Sequence, residues 1–126
     1  MRLLLDTVTF LMASASPASL SRRAKAVLES EADLREISAL SLSEIAIKNA
    51  LGKLTFGKDD VAQGVRDLRL RVLPFTAEHA FSFFDLPPHH HDPFDRQIIA
   101  QALAETIPVV TPDDKFRLYK GLKVIW

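Results

Sequence analysis

Five short, largely apolar runs, each set apart from the next by stretches of helical character, limit the fold more than any other feature of this sequence. They are "RLLL" at 2–5, "REISAL" at 35–40, "RVLPF" at 71–75, "IPVVT" at 107–111 and "LKVIW" at 122–126. Runs this short read as strands covered on both faces. Helices are expected at 8–13, from Ser19 to about Glu31, from Ser41 to Leu51 with Gly52 closing it, and at 59–69. Three more are expected at Thr76–Phe84, Pro93–Glu105 and Pro112–Tyr119, with "ASPAS" as a loop. Strands alternating with helices predict an α/β domain built on a mostly parallel sheet flanked by helices. The 126 residues, without internal repeat or low-complexity tract, suit one such domain spanning 1–126.

Apolar residues make up 48% of the chain, enough for a real core, and cysteine is absent, which excludes disulfides and zinc–thiolate sites. No apolar run approaches the roughly 20 residues needed to span a bilayer, and the start lacks a basic leader and signal-type segment. The expectation is a soluble, cytoplasmic protein with no membrane contact. Lys+Arg and Asp+Glu balance at 16 each. That argues against passive nucleic-acid binding, which favours a basic surface. It permits an enzyme whose clustered acids are neutralised by a cation, or a protein covered by a basic partner.

In parallel α/β sheets the ligand crevice lies beyond the C-terminal strand ends. Asp6 closes the first strand; Thr111 closes the fourth, with Asp113 just beyond; Glu44 lies one turn into the helix after the second strand; Asp95 lies in the first turn of the long helix. Each acid has a plain structural explanation as well. "SLSE", Ser41 to Glu44, matches a capping box. "DPFD", Asp92 to Asp95, and "TPDD", Thr111 to Asp114, read as caps followed by proline, with Asp92 and Thr111 at the cap. A carboxylate in a first helical turn is stabilised by roughly 0.3–1 kcal/mol through the dipole. Asp6 is harder to explain so, because an acid closing a buried strand needs a partner. Four acids in one crevice would repel and some would take up protons. A hard divalent cation, Mg²⁺ or Mn²⁺, resolves that conflict. Phosphodiester hydrolysis is the chemistry such a site suits.

The triplet His89, His90, His91 is consecutive, so its side chains cannot all point one way. It lacks the converging spacing and further ligands of a zinc site. It reads as a loop positioning Asp92 and the helix start, with contact to a substrate phosphate as the other reading. Lys48 follows Glu44 by four residues on one helix face, and Arg96 adjoins Asp95. Pairing with the neighbouring acid is expected for both, with the scissile backbone as the alternative. The remaining basic residues read as solvated helix faces.

"LLLDT", "SLSEIAIKNALGKL", "LPPHHHDPFDRQIIAQAL", "VVTPDDKF" and "LKVIW", in that order and spacing, resemble the PIN-domain ribonucleases, specifically the VapC-type toxins of toxin–antitoxin pairs. The resemblance covers nearly the whole chain. It implies a PIN-like three-layer fold and a Mg²⁺- or Mn²⁺-dependent endoribonuclease leaving a 5′-phosphate and a 3′-hydroxyl. It implies that Asp6, Glu44, Asp95 and Asp113 are the catalytic, metal-holding acids. Thr7 and Thr111 match hydroxyls supporting the first and last of them. RNA as substrate, a homodimer and a cognate antitoxin that blocks the site are implied too. Two positions depart from the family pattern: Ser43 stands where an aromatic often precedes the middle glutamate, and Val8 and Thr9 stand where many members have histidine. Both bear on substrate preference rather than on the acids. Asp92 reads as a cap and Asp114 as an outer companion of the site. Phe10, Leu11 and Leu20 could serve an interface as readily as a core.

Two other classes compete. A phosphotransfer receiver or aspartate-nucleophile phosphatase also ends its first strand on an acid. Receivers want an acidic pair there, and such phosphatases an acid two residues on, where Val8 stands. A non-catalytic interaction domain would leave the acids as caps and surface charges.

Overall fold

The computed structural model describes residues 1–126. Its strands are β1 (Arg2–Leu5), β2 (Leu34–Ser38), β3 (Arg71–Leu73), β4 (Val109–Val110) and β5 (Val124–Ile125). All pair in parallel in one sheet of order β3-β2-β1-β4-β5. The helices are α1 (Thr7–Ala15), α2 (Arg22–Glu29), α3 (Ala39–Ala50), α4 (Lys58–Asp67), α5 (Ala77–Phe83) and α6 (Pro93–Glu105). Short 3₁₀ turns occupy Pro17–Ser19 and Asp114–Leu118. No helix is long and apolar enough to cross a membrane.

Period-two alternation along the strands divides the core between two faces. Leu4, Val109 and Val124 pack with Ile98, Ile99 and Phe116 beneath α5 and α6. Leu3, Val110 and Ile125 face the other way with Leu20 and Ala24, and Leu5 and Ile37 with Phe10 and Ile45. Phe10 and Leu20 are therefore core residues, and Leu11 is partly buried against the same face. On the α5–α6 side the fully buried Glu36 of β2 is held by Arg2 and Arg71, at 2.8 and 2.7 Å. Arg2 also reaches Glu105, which meets His79 of α5.

Helix ends explain most departures from the sequence reading. Ser38 caps α3, accepting from the Leu40 N–H at 3.1 Å, so the helix starts at Ala39, two residues before Ser41, and the Ser41–Glu44 capping box does not form. Ser41 and Glu44 are interior helix residues, both buried. Ser21 rather than Ser19 opens the second helix. Asp113 rather than Thr111 caps the turn before Phe116, and that segment is 3₁₀, not α. At the far end of α3, Gly52 adopts φ +71°, and the N–H groups of Gly52 and Lys53 return to the carbonyls of Asn49 and Lys48. This is the left-handed Schellman stop that glycine favours.

Candidate functional site

The C-terminal edge of the sheet gathers the acids. Asp6 follows β1 directly and caps α1: its Oδ1 accepts the Thr9 N–H at 2.9 Å. Its Oδ2 accepts the Thr111 hydroxyl proton at 2.6 Å from just beyond β4, and the carboxylate is 1% exposed. Because β1 and β4 are neighbours, residues 105 positions apart along the chain meet here. The Thr111 oxygen in turn accepts the Asp113 N–H at 3.1 Å, so one hydroxyl orients two acids.

Glu44 enters from α3, also buried. Its Oε1 lies 2.7 Å from the Thr7 hydroxyl, which lies 2.8 Å from Ser41 Oγ. Thr7 has a single hydroxyl proton, and the carboxylate, lacking any, takes it. Thr7 thus supports the middle acid rather than Asp6, a correction to the sequence reading. Glu44 Oε2 pairs with Lys48 Nζ at 2.6 Å, as the four-residue spacing predicts. Arg96 does not pair with Asp95. One residue further round α6, its guanidinium lies 4.8 Å from the Phe83 ring centre and donates to the Leu86 carbonyl.

Asp92 caps α6, its Oδ1 accepting from the Phe94 and Asp95 N–H groups, as the sequence predicts. That cap turns Asp95 toward the sheet edge. His90 completes the cluster. Its Nε2 lies 2.8 Å from Asp113 Oδ2 and 3.2 Å from Asp95 Oδ2, and its Nδ1 accepts the Asp92 N–H at 3.1 Å. Potential ligand atoms of His90, Asp95 and Asp113 lie within 4.8 Å of one another. His89 and His91 are exposed, so only the middle histidine turns inward. The loop does position Asp92, but His90 also belongs to the acid cluster, which sequence reasoning missed. The triplet itself shows only that its three rings diverge, not which one turns in.

The electrostatics follow from crowding. Burial pushes the Asp95 carboxyl up to about 7, helped by the like charges of Asp92, Asp6, Glu44 and Asp113. Asp6 is also raised, chiefly by burial, against the pull of its hydrogen bonds from Thr111 and Thr9. Burial pushes Asp113 up as well, yet the Lys115 N–H and His90 bring it below its ordinary value. Lys48 is raised by its hydrogen bond to Glu44, with Asp92 and Asp95 adding to the effect. Asp95 thus feels the other three matched acids, and Asp6 feels Asp113, at the edge where ligands bind in parallel sheets.

The PIN domain family model matches residues 3–122. The chain belongs to the PIN-domain family. Solved structures of like fold cover nearly all of this PIN domain. The VapBC2 complex from Rickettsia felis, bound to a promoter DNA fragment, has a component chain 21% identical, with TM-score 0.76, covering 98% of this chain and 97% of its own. The DNA-bound VapBC of Salmonella typhimurium gives 17% identity and TM-score 0.72 over 98% and 96%. VapBC-1 from nontypeable Haemophilus influenzae gives 19% and 0.66 over 98% and 96%. No curated protein matches the sequence.

Proposed function

We propose that this PIN domain, read as one unit over residues 1–126, is a divalent-metal-dependent endoribonuclease, the toxin of a toxin–antitoxin pair. The observation that carries the proposal is carboxylate convergence: Asp95 and Asp113 bring ligand atoms within 4.8 Å of one another, Thr111 joins Asp113 to the buried Asp6, and burial with four neighbouring acids raises Asp95. Such a cluster favours a cation. The donors fit a hard one, being carboxylate oxygens joined by hydroxyls. Asp6, Asp95 and Glu44 would hold Mg²⁺ or Mn²⁺, and Asp113 would complete or tune the site. When bound, the ion supplies positive charge at the scissile phosphate and activates water. Thr111 and Thr7 fix the acids in place, and Lys48 stands ready to meet the RNA backbone. Surface caps would not be sealed from water as Asp6 and Glu44 are, which weighs against a non-catalytic domain. An aspartate-nucleophile phosphatase would want an acid two residues after Asp6, where Val8 stands, which weighs against an aspartyl-phosphate.

Asp6→Asn tests the proposal. Asparagine keeps an oxygen for the Thr9 cap and removes the charge. Cleavage of total RNA should fall by at least about 100-fold, the scale of losing a principal electrostatic group, with thermal unfolding preserved. Undiminished cleavage would remove Asp6 from the mechanism. Chelator should abolish cleavage by the parent protein.

For the partner we assign the groove between α3 and α4, a space of about 690 Å³ with Leu42, Ile45, Phe56, Val61 and Val65 in its wall. It suits the apolar face of an antitoxin helix, and the like-folded structures include a toxin–antitoxin complex from Klebsiella pneumoniae. Ala46→Glu on its lining should block antitoxin capture while Mn²⁺ binding persists; capture at parental affinity would discard the assignment. The proposed homodimer has an apolar patch available in Phe81 and Phe84, exposed on and just after α5.

A further inference from the structure

We infer that His90 is a positioning residue and not a metal ligand: an imidazole whose Nε2 proton clasps the Asp95 and Asp113 carboxylates together. The inference rests on the nuclease reading of those acids and adds a residue to it. The tautomer is set by the backbone. The Asp92 amide has only a proton to offer, so Nδ1, which accepts it at 3.1 Å, carries a lone pair and no proton. The ring then keeps its proton on Nε2. That atom faces Asp113 Oδ2 at 2.8 Å and Asp95 Oδ2 at 3.2 Å. Neither ring nitrogen therefore has a lone pair free for a cation.

The ring is built into the fold. It is 6% exposed, its backbone N–H donates to the Tyr119 hydroxyl at 2.9 Å, and it meets the Phe116 ring edge-on at 5.7 Å. Three segments converge on it: its own loop, the first turn of α6, and the turn carrying Asp113. The same device recurs away from the acids. His79 Nδ1 accepts the Thr76 N–H at 3.0 Å, and its Nε2 meets Glu105 at 2.9 Å. In both, a backbone amide two or three residues away in sequence selects the tautomer and a carboxylate takes the remaining proton. At His90 the result is that two acids that repel one another are held at a fixed spacing before any cation arrives. Partners of this kind typically govern about 10–100-fold in metal affinity.

The test uses the full chain labelled with ¹⁵N-histidine. Long-range ¹H–¹⁵N correlation spectra, recorded metal-free and through a Mg²⁺ titration, should show the His90 proton on Nε2 and none on Nδ1 throughout. A proton on Nδ1, or loss of the Nε2 proton as Mg²⁺ saturates, would overturn the inference. Mn²⁺ affinity supplies the second arm. His90→Ala removes the donor and should weaken binding about 10–100-fold. His90→Gln presents an amide N–H near the place of Nε2 and should recover most of the loss. Equal loss in both folded variants would also overturn it. If the parent protein binds neither Mg²⁺ nor Mn²⁺, the nuclease reading fails, while the tautomer spectrum still decides the clasp.

Discussion

At Asp95 two effects oppose each other. The first turn of a helix favours a negative charge; burial and four neighbouring acids disfavour it, and they win, raising the group to about 7. In chelator-treated protein this has a definite sign. The folded state binds the proton more tightly than the unfolded chain, so stability should rise as pH falls from 8 to 5. The gain is complete only below the unfolded value near 3.8 and is lost as pH climbs through about 7. Asp113 and Glu105 are lowered, so their contributions are lost only below their ordinary values of 3.8 and 4.5, outside this window. Urea unfolding at pH 8 and pH 5 checks this, and a flat or rising trend with pH contradicts it. Glu36 makes a separate case, since Arg2 and Arg71 can regain water if it is lost. Glu36→Gln should cost about 1–3 kcal/mol, read from the same urea curves. The matched acids were legible in the sequence because strand ends select the crevice. His90 was not, because no spacing rule marks the middle of a consecutive triplet, and the Asp113 turn that receives it is distant in the chain. Arg96 misled because adjacency to Asp95 hid the roughly 100° that separates neighbours on a helix.

At the scale of elements, the order of strands and helices was readable from apolar runs and breakers, and the boundaries were less so. α6 matches its expected Pro93–Glu105 because Asp92 and Pro93 form an unambiguous start. α3 does not, because Ser38 and Ser41 are both suitable caps in sequence. Burial decides between them: starting at Ser38 turns Ser41 and Glu44 inward against Thr7. Helix contact provides a prediction of its own. A Cβ on Gly64 of α4 would stand 2.7 Å from Ser14 Oγ and 2.9 Å from the buried Phe10 ring of α1. Gly64→Ala gains up to about 1 kcal/mol in helix propensity and costs about 1–3 kcal/mol in overpacking. Phe10 is fully buried and cannot yield, so the net effect should be a lower melting temperature by calorimetry. A higher one would show that α1 and α4 can separate freely.

At the scale of the whole molecule, the central position of β1, between β2 and β4, is what brings distant acids together. Asp6 ends the middle strand, α3 returns Glu44 from one side, and β4 returns Thr111 and Asp113 from the other. Strand order is not written in any local pattern, which is why the sequence could nominate these residues but not their hydrogen bonds. The balanced charge, 16 against 16, agrees with a chain that gathers acids in one crevice and spreads its bases elsewhere. On the reading proposed above, this crevice holds a divalent cation. Crystals soaked in Mn²⁺ and measured at its absorption edge check this. Anomalous density should lie among Asp6, Glu44, Asp95 and Asp113, and vanish in Asp6→Asn; crystals saturated with Mn²⁺ but with no density there would contradict the account.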